Sequence, residues 1–285
     1  MGSQPNINVL VFRQPLKSWW RLLRVSEHLL TGVTIILGVA LGRHFGLRAA
    51  WLPEVVRWWH ARLCRALGVH MQVTGELVPN ALLVANHVSW LDIPVLGSQA
   101  RIDFLSKSDI KAWPLIGWMA EIVGTLFIVR GANQTDVLIP EIGERVQRGR
   151  HVVIFPEGTT TDGSRLHRFH PRLLAAGQLE GVLIQPVALR YGSNPAPDPV
   201  VPFIGNDVLL SHLMRLARHP GLQVHIRVLP PLDGSALSRR HISEYCRHSI
   251  GEALGLETVD ARSPPADQKA AQQPVSSTTP FVETT

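Results

Sequence analysis

Ala81-Leu-Leu-Val-Ala-Asn-His-Val-Ser-Trp-Leu-Asp92 begins with five apolar residues and ends in a cluster of polar ones. An unbroken apolar run of that length, without polar alternation, reads as a strand buried on both faces. The same form occurs twice more. Leu126-Phe-Ile-Val129 leads into Arg130-Gly131, and Val152-Val-Ile-Phe155 leads into Pro156-Glu157-Gly158-Thr159. Apolar runs at 69–74, 182–188 and 224–228 also fit strands, and helical patterns fall near 90–98, 113–122, 136–148, 171–179 and 238–254. Short buried strands alternating with helices predict an α/β fold, a central, largely parallel sheet flanked by helices.

Ligands of open α/β sheets bind beyond the carboxyl ends of the strands. If these three strands are parallel neighbours, His87, Asp92, Arg130, Glu157 and Thr159 converge on one cleft. Each signal alone has a plain structural alternative. The His87-x4-Asp92 pair could be a structural His beside a helix-capping Asp, Arg130 a solvated charge and the Glu157 bend an ordinary turn. Residues i and i+5 point about 140° apart on a helix and to opposite faces of a strand. His87 and Asp92 can meet only if the chain turns between them, as at a strand-to-helix junction with Ser89 as N-cap.

The first 68 residues read differently. Lys17, Arg21, Arg24 and His28 share one arc of a helix whose other side carries Leu16, Trp19, Leu22, Leu23, Leu29 and Leu30. That pattern is a basic amphipathic helix of the membrane-surface type. It runs into about 14 uncharged residues, 29–42, short of the roughly 20 that a span needs. Basic residues flank both ends, which favours an interfacial or re-entrant anchor over a span, a signal peptide or a core helix. A second helix is expected from Pro53 to Leu67, stopped by Gly68. The chain thus divides into a helical membrane anchor at 1–68, a sheet-bearing domain at 69–257 and a tail at 258–285 too poor in large apolar groups to join a core. Charged residues are only 18% of the 285, eight Trp accompany two Tyr, and the net charge is +6. Basic residues beside apolar segments point to lipid rather than nucleic acid. Cys64 and Cys246 have no metal-ligand spacing and read as reduced thiols of an intracellular chain.

Taken together, four segments resemble the lysophospholipid acyltransferase family, also called the glycerolipid acyltransferases. They are Asn86-His87-Val-Ser-Trp-Leu-Asp92, Gly124-Thr-Leu-Phe-Ile-Val-Arg130, Phe155-Pro-Glu-Gly-Thr159 and Ile184-Gln-Pro-Val187. Their order and approximate spacing are the family's, and the resemblance covers about residues 75–235. It implies an active site on the cytoplasmic face of a membrane, the inner (plasma) membrane in a bacterium. It also implies an acyl thioester donor carried on acyl-carrier protein or coenzyme A, a lysophospholipid acceptor, and no cofactor or metal. By the same resemblance His87 and Asp92 are catalytic, and Arg130, Glu157, Gly158 and Thr159 bind the acceptor. Asn86 and Pro186 are supporting residues.

Such chemistry is within reach of a His–Asp pair. Imidazole, with a reference pKa near 6.5, can take a proton from an attacking hydroxyl, and a carboxylate can hold its tautomer. The substrate supplies the hydroxyl, and the chain has no Gly-x-Ser-x-Gly nucleophile motif. The expected acceptor is 1-acyl-glycerol 3-phosphate, with lyso-ornithine lipid second. Thr160 stands where many phosphate-binding members carry Arg, and Arg165, Arg168 and Arg172 follow closely. A thioesterase, in which the pair activates water, and a non-catalytic membrane scaffold are the competing functions.

Overall fold

The computed structural model describes residues 15–107, 111, 116–128, 135–192 and 196–256. Two helices come first, α1 (Pro15–His44) and α2 (Leu52–Leu67). Then follow β1 (Val69–Thr74), β2 (Ala81–Ala85), α3 (Asp92–Gly97), β3 (Ile102–Lys107), α4 (Ile116–Ile122), β4 (Leu126–Ile128), α5 (Thr135–Gln147) and β5 (His151–Ile154). The rest comprises a 3-10 helix (Leu173–Gln178), β6 (Leu183–Tyr191), α6 (Leu209–Arg218), β7 (Leu222–Val228), β8 (Leu232–Asp233) and α7 (Arg239–Leu254).

The strands form one sheet in the order β1-β7-β6-β2-β5-β3-β4, with β8 also on β6. Pairs β2–β5, β2–β6, β3–β5, β3–β4 and β1–β7 are parallel, while β7 and β8 run antiparallel to β6. This is the predicted α/β architecture. All five residues of β2 are buried, because the strand is central and a core lies on each face. Leu83 and Ala85 join Leu67, Val95 and Leu96 of α2 and α3, whereas Leu82 and Val84 join Ile142 of α5 and Ile250 of α7.

Several elements differ from the expectation. Strand β3 is additional to the expected strands, because Asp103 interrupts its apolar run; in the fold Asp103 is buried and held by Arg145 at 3.1 Å and by Arg150. As a result β4 lies beyond β3, and only β2 and β5 of the three motif-bearing strands are neighbours. Helix α3 starts at Asp92 with Leu91 as an N-cap that makes no side-chain bond, so Ser89 is not the cap. Strand β6 continues through Arg190 to Tyr191, α6 is an additional helix, and the stretch expected as a helix over 171–179 is a 3-10 helix. Residues 1–14 and the expected tail at 258–285 lie outside the described residues.

At the N-terminus the amphipathic and uncharged stretches join into one helix of 30 residues, long and apolar enough to cross a membrane by length and composition. Its basic arc does not face outward throughout. The Arg21 guanidinium donates to Ala217 O at 3.3 Å and to His219 O, closing the carbonyl end of α6, where helix carbonyls lack intrahelical partners. His28 is buried with its ring stacked on Trp59, centroids 4.1 Å apart. Leu16, Trp19, Trp20, Leu23, Leu30 and Leu37 are exposed instead. Helix α2 has Pro53 in its first turn, and Gly68, at φ 75°, closes it with bonds to Arg65 O and Cys64 O, as expected. Both cysteines are free and buried, and burial pushes each thiol up to about 12.

Where α3 meets α2, a Cβ on Gly97 would fall 1.7 Å from His60 Nδ1. Overpacking of that kind costs about 1–3 kcal/mol. Gly97→Ala is therefore expected to lower stability by that amount, and His60→Ala to relieve most of the loss in the double variant. Denaturant unfolding of all four proteins in detergent tests the coupling; additive effects would place the strain elsewhere.

Candidate active site

Strand β2 delivers Asn86 and His87 at its carboxyl end. The Asn86 amide bridges to β6 twice, donating to Leu189 O at 2.9 Å and accepting from Leu189 N at 2.8 Å. This cross-link fixes where β2 stops. The chain then turns, with Asp92 N donating to Ser89 O at 3.0 Å. The turn brings the carboxylate of Asp92 back under His87, so residues five apart meet: His87 Nδ1 lies 2.7 Å from Asp92 Oδ2. The same oxygen accepts from Val88 N at 2.7 Å and Ser89 N at 3.0 Å, and Oδ1 accepts from the Tyr191 hydroxyl at 2.7 Å. Asp92 is completely buried. An acceptor-only carboxylate at Nδ1 selects the tautomer protonated there, which leaves Nε2 as the basic nitrogen.

The neighbouring strand supplies the other wall. The rings of His87 and Phe155 stack with centroids 4.1 Å apart and planes 17° apart. The next turn, closed by Gly158 N to Phe155 O at 3.1 Å, puts Gly158 at φ 67°, a left-handed conformation that glycine adopts without strain. Glu157 is only 3% exposed, and both of its oxygens are taken. Oε1 accepts from His87 N at 2.9 Å and Oε2 from His167 N at 2.8 Å. Burial pushes this carboxyl up to about 7, against the pull of the two N–H groups. The geometry makes Glu157 a clamp between the His87 corner and the 165–172 loop. That loop folds back over the turn, with His170 N donating to Pro156 O at 2.8 Å. Arg247 of α7 supports it by donating to His167 O at 3.2 Å.

A cavity of about 1630 Å³ begins at these residues. His87, Glu157, Gly158, Thr159, Thr160 and Arg168 line its polar part, together with His167, His170 and Arg172. Its apolar part is walled by Leu29, Ile35 and Ile36 of α1, Leu63 of α2, Met119 of α4 and Leu213 of α6. The volume exceeds that of an ordinary small-ligand site of about 300–1,000 Å³.

The structure therefore brings together His87, Asp92, Asn86, Glu157, Gly158 and Thr159. Pro186 is not at this site; it is buried within β6 opposite Val84, and its carbonyl accepts from Leu229 N. Arg130 lies outside the described residues. Arg168 and Arg172 line the cavity, whereas Arg165 is exposed outside it. Asp162 is tied into its own turn by the backbone N–H and hydroxyl of Ser164, at 2.9 and 2.6 Å, and faces solvent. Tyr191 was missed. Its hydroxyl reaches Asp92 from the far end of β6, and burial, followed by the Asp92 charge, pushes the phenol well above its usual value.

Such a site can take a proton from a hydroxyl at the edge of an apolar cavity, which is the chemistry of acyl transfer to a lipid. The family model for acyltransferases matches residues 70–190. The lyso-ornithine lipid O-acyltransferase of Pseudomonas aeruginosa is 44% identical over 244 residues, covering 82% of this chain and 93% of that one. The 1-acyl-sn-glycerol-3-phosphate acyltransferase of Neisseria gonorrhoeae is 39% identical over 115 residues, 40% of this chain and 45% of that one. Among solved structures, the 1-acyl-sn-glycerophosphate acyltransferase PlsC of Thermotoga maritima shares the fold, with a TM-score of 0.60 at 20% identity over 84% of this chain and 95% of that one. The chain belongs to the lysophospholipid acyltransferase family and is an acyltransferase of lysolipids.

The raised Glu157 carboxyl has a consequence for stability. A group that holds its proton more tightly when folded stabilises the fold fully below its unfolded pKa, and that stability is lost as pH rises through the folded pKa. For Glu157 the window runs from 4.5 to about 7, and the loss is of the order of 3 kcal/mol. Glu157→Gln cannot titrate. Unfolding free energies measured from pH 4 to 8 should show wild type losing stability relative to the variant across that window, and parallel curves would refute the clamp's raised pKa.

Proposed function

We propose that this protein transfers a fatty acyl group from an acyl thioester, on acyl-carrier protein or coenzyme A, to the hydroxyl of lyso-ornithine lipid. The observation that carries the reaction is the oriented His87–Asp92 pair, with Nε2 left basic at the polar end of an apolar cavity. His87 removes the acceptor's proton as its oxygen attacks the thioester carbonyl. The tetrahedral intermediate collapses, the C–S bond breaks, and the imidazolium returns the proton to the leaving thiolate. Asp92 stabilises the imidazolium as the Asp of a Ser-His-Asp triad does, and Tyr191 acts through Asp92 as a positioning residue. A water in place of the acceptor would make the same pair a thioesterase; the apolar cavity shared between the helices and the sheet domain favours a lipid acceptor.

Two observations favour the ornithine headgroup, which carries a carboxylate and an ammonium. The Pseudomonas relative matches over nearly its whole length, whereas the glycerophosphate relative matches over less than half. Thr160 bonds Phe203 O through its hydroxyl and offers no charge for a phosphate dianion. Arg168 and Arg172 in the cavity wall suit a carboxylate or a phosphate equally and do not separate the two acceptors. The second reading, 1-acyl-glycerol 3-phosphate, draws on the 39% identity of the Neisseria protein and on those same two arginines.

Attachment to one face of the membrane is the reading that α1 supports. Arg21 near its start is bonded to the end of α6, and Arg43 near its end donates to Ile122 O of α4 at 3.2 Å. The 22 steps from Arg21 to Arg43 rise about 33 Å, more than the hydrocarbon core of roughly 30 Å. Both ends are bonded to one sheet domain, so the helix lies along that domain, which supports placing it in the interface rather than across the bilayer.

His87→Ala is expected to abolish transfer in a folded protein. Tyr191→Phe loses one charged hydrogen bond of about 1.5–3 kcal/mol, so kcat should fall roughly 10- to 100-fold with both KM values nearly unchanged. Loss of folded protein without a kcat change would make Tyr191 merely structural. Offered both lysolipids at equal concentration with one donor, the enzyme should show at least tenfold higher kcat/KM for lyso-ornithine lipid. Preference for the glycerophosphate would reverse the acceptor assignment, and donor hydrolysis without transfer would replace the reaction.

A further inference from the structure

A second cavity, of about 850 Å³, opens between the first turns of α1 and the last turn of α2. Lys17, Arg21 and Arg24 line it from α1 and Arg65 from α2, beside Leu16, Trp19, Trp20 and Leu23. It lies apart from the active site; none of these residues lines the catalytic cavity. Arg21 is committed to the carbonyl end of α6. Lys17, Arg24 and Arg65 are exposed, and among the described residues no carboxylate pairs with them. Residues 15–26 contain no acid, and Glu27, the first after them, pairs with Arg62 at 2.7 Å. The Arg24 guanidinium instead lies 5.7 Å from the centre of the Trp20 ring.

Cations that line one groove without a carboxylate partner repel one another and favour an anion there. The remaining walls are exposed aromatic and aliphatic groups, continuous with the exposed apolar side of α1. An inorganic anion would leave those walls in water. An anion with an apolar body satisfies both parts, and tryptophans at such a boundary suit the headgroup level of a bilayer. We propose that this groove binds the phosphate of an anionic phospholipid, with Lys17, Arg24 and Arg65 on the phosphate and the upper acyl chains against Leu16, Trp20 and Leu23. The proposal rests on the interfacial placement of α1 argued above and is independent of which lysolipid is acylated. Bound there, the lipid joins α1 to α2 by charge at the point where the two helices meet the membrane surface.

The test uses the full chain in neutral detergent micelles doped with dibrominated phosphatidylglycerol or dibrominated phosphatidylcholine, read by quenching of tryptophan fluorescence. Phosphatidylglycerol should bind at least fivefold more tightly than phosphatidylcholine. The triple variant Lys17→Gln/Arg24→Gln/Arg65→Gln should lose that preference. A control removing the same charge elsewhere, Arg148→Gln/Arg239→Gln/Arg240→Gln, should keep it. Arg65→Gln alone, at an exposed helix position, should weaken binding about threefold and serves if the triple variant unfolds. Equal binding of the two lipids, or an equal loss in the control, would mean diffuse attraction and overturn the site. Displacement by millimolar inorganic phosphate would make it a simple anion site and overturn the lipid assignment. No quenching by either lipid would overturn the interfacial anchor along with the site, whereas lyso-ornithine acylation assayed in the same micelles judges the catalytic reading separately.

Discussion

The carboxylate of Asp92 is the constraint on which the site depends. A fully buried charge is tolerated only when its lone pairs are satisfied, and Asp92 accepts from two backbone N–H groups, an imidazole and a phenol. The two N–H groups belong to the corner between β2 and α3, so the bonds that stabilise the charge also impose the turn. The imidazole is that of His87, so the same bonds fix its tautomer. The phenol comes from the end of β6, 99 residues further along the chain. One carboxylate thereby ties strand, helix and neighbouring strand into a fixed geometry, which a surface pair could not hold against side-chain entropy.

Glu157 performs a similar task from the other side. The sequence assigned it to acceptor binding by resemblance, and it does line the cavity. Yet both its oxygens are occupied by the backbone of His87 and His167, so its observed bonds hold the walls of the site together. Thr161 adds to this corner, with its N–H donating to His87 O at 2.8 Å. His87 is therefore gripped at its amide, its carbonyl and its ring. In the proposed role of general base, a side chain so restrained loses little freedom on reaching the attack geometry, which is where positioned catalysis gains its advantage.

Local chemistry explains what could be read from the chain beforehand. The apolar runs of β2 and β5, the Pro53 and Gly68 boundaries of α2, and the need for a turn between His87 and Asp92 all follow from properties of neighbouring residues. What escaped depends on partners distant in sequence. Asp103 made β3 look too polar, because its neutralising arginines come from α5 and the loop after it. Tyr191 looked like the polar end of a strand, since nothing near it announces Asp92. The basic arc of α1 read as lipid-facing because the carbonyl end of α6, which claims Arg21, belongs to a helix that weak local signals did not reveal. Burial of His28 against Trp59 is equally a property of the assembled helix pair.

The two N-terminal helices and the sheet domain are consequently not separable units. Leu29, Ile35 and Ile36 of α1 and Leu63 of α2 form walls of the same cavity that His87 and Thr159 enter from the sheet. A soluble enzyme with a detachable tether would close its own substrate cavity; here the closure is supplied by the helices whose other side exposes Leu23, Leu30 and Leu37. On the proposed placement in the interface, one side of α1 touches lipid while the other touches the substrate chain. On that placement a lysolipid would pass from bilayer to cavity against apolar groups of α1, with little of its acyl chain exposed to water. The dominant desolvation cost of handling a lipid, about 0.8 kcal/mol for each methylene exposed, is avoided by construction. On that placement membrane attachment is part of the architecture of the site, and the position of α1 against α2, α4 and α6 sets how far an acyl chain in the cavity can lie from Nε2 of His87.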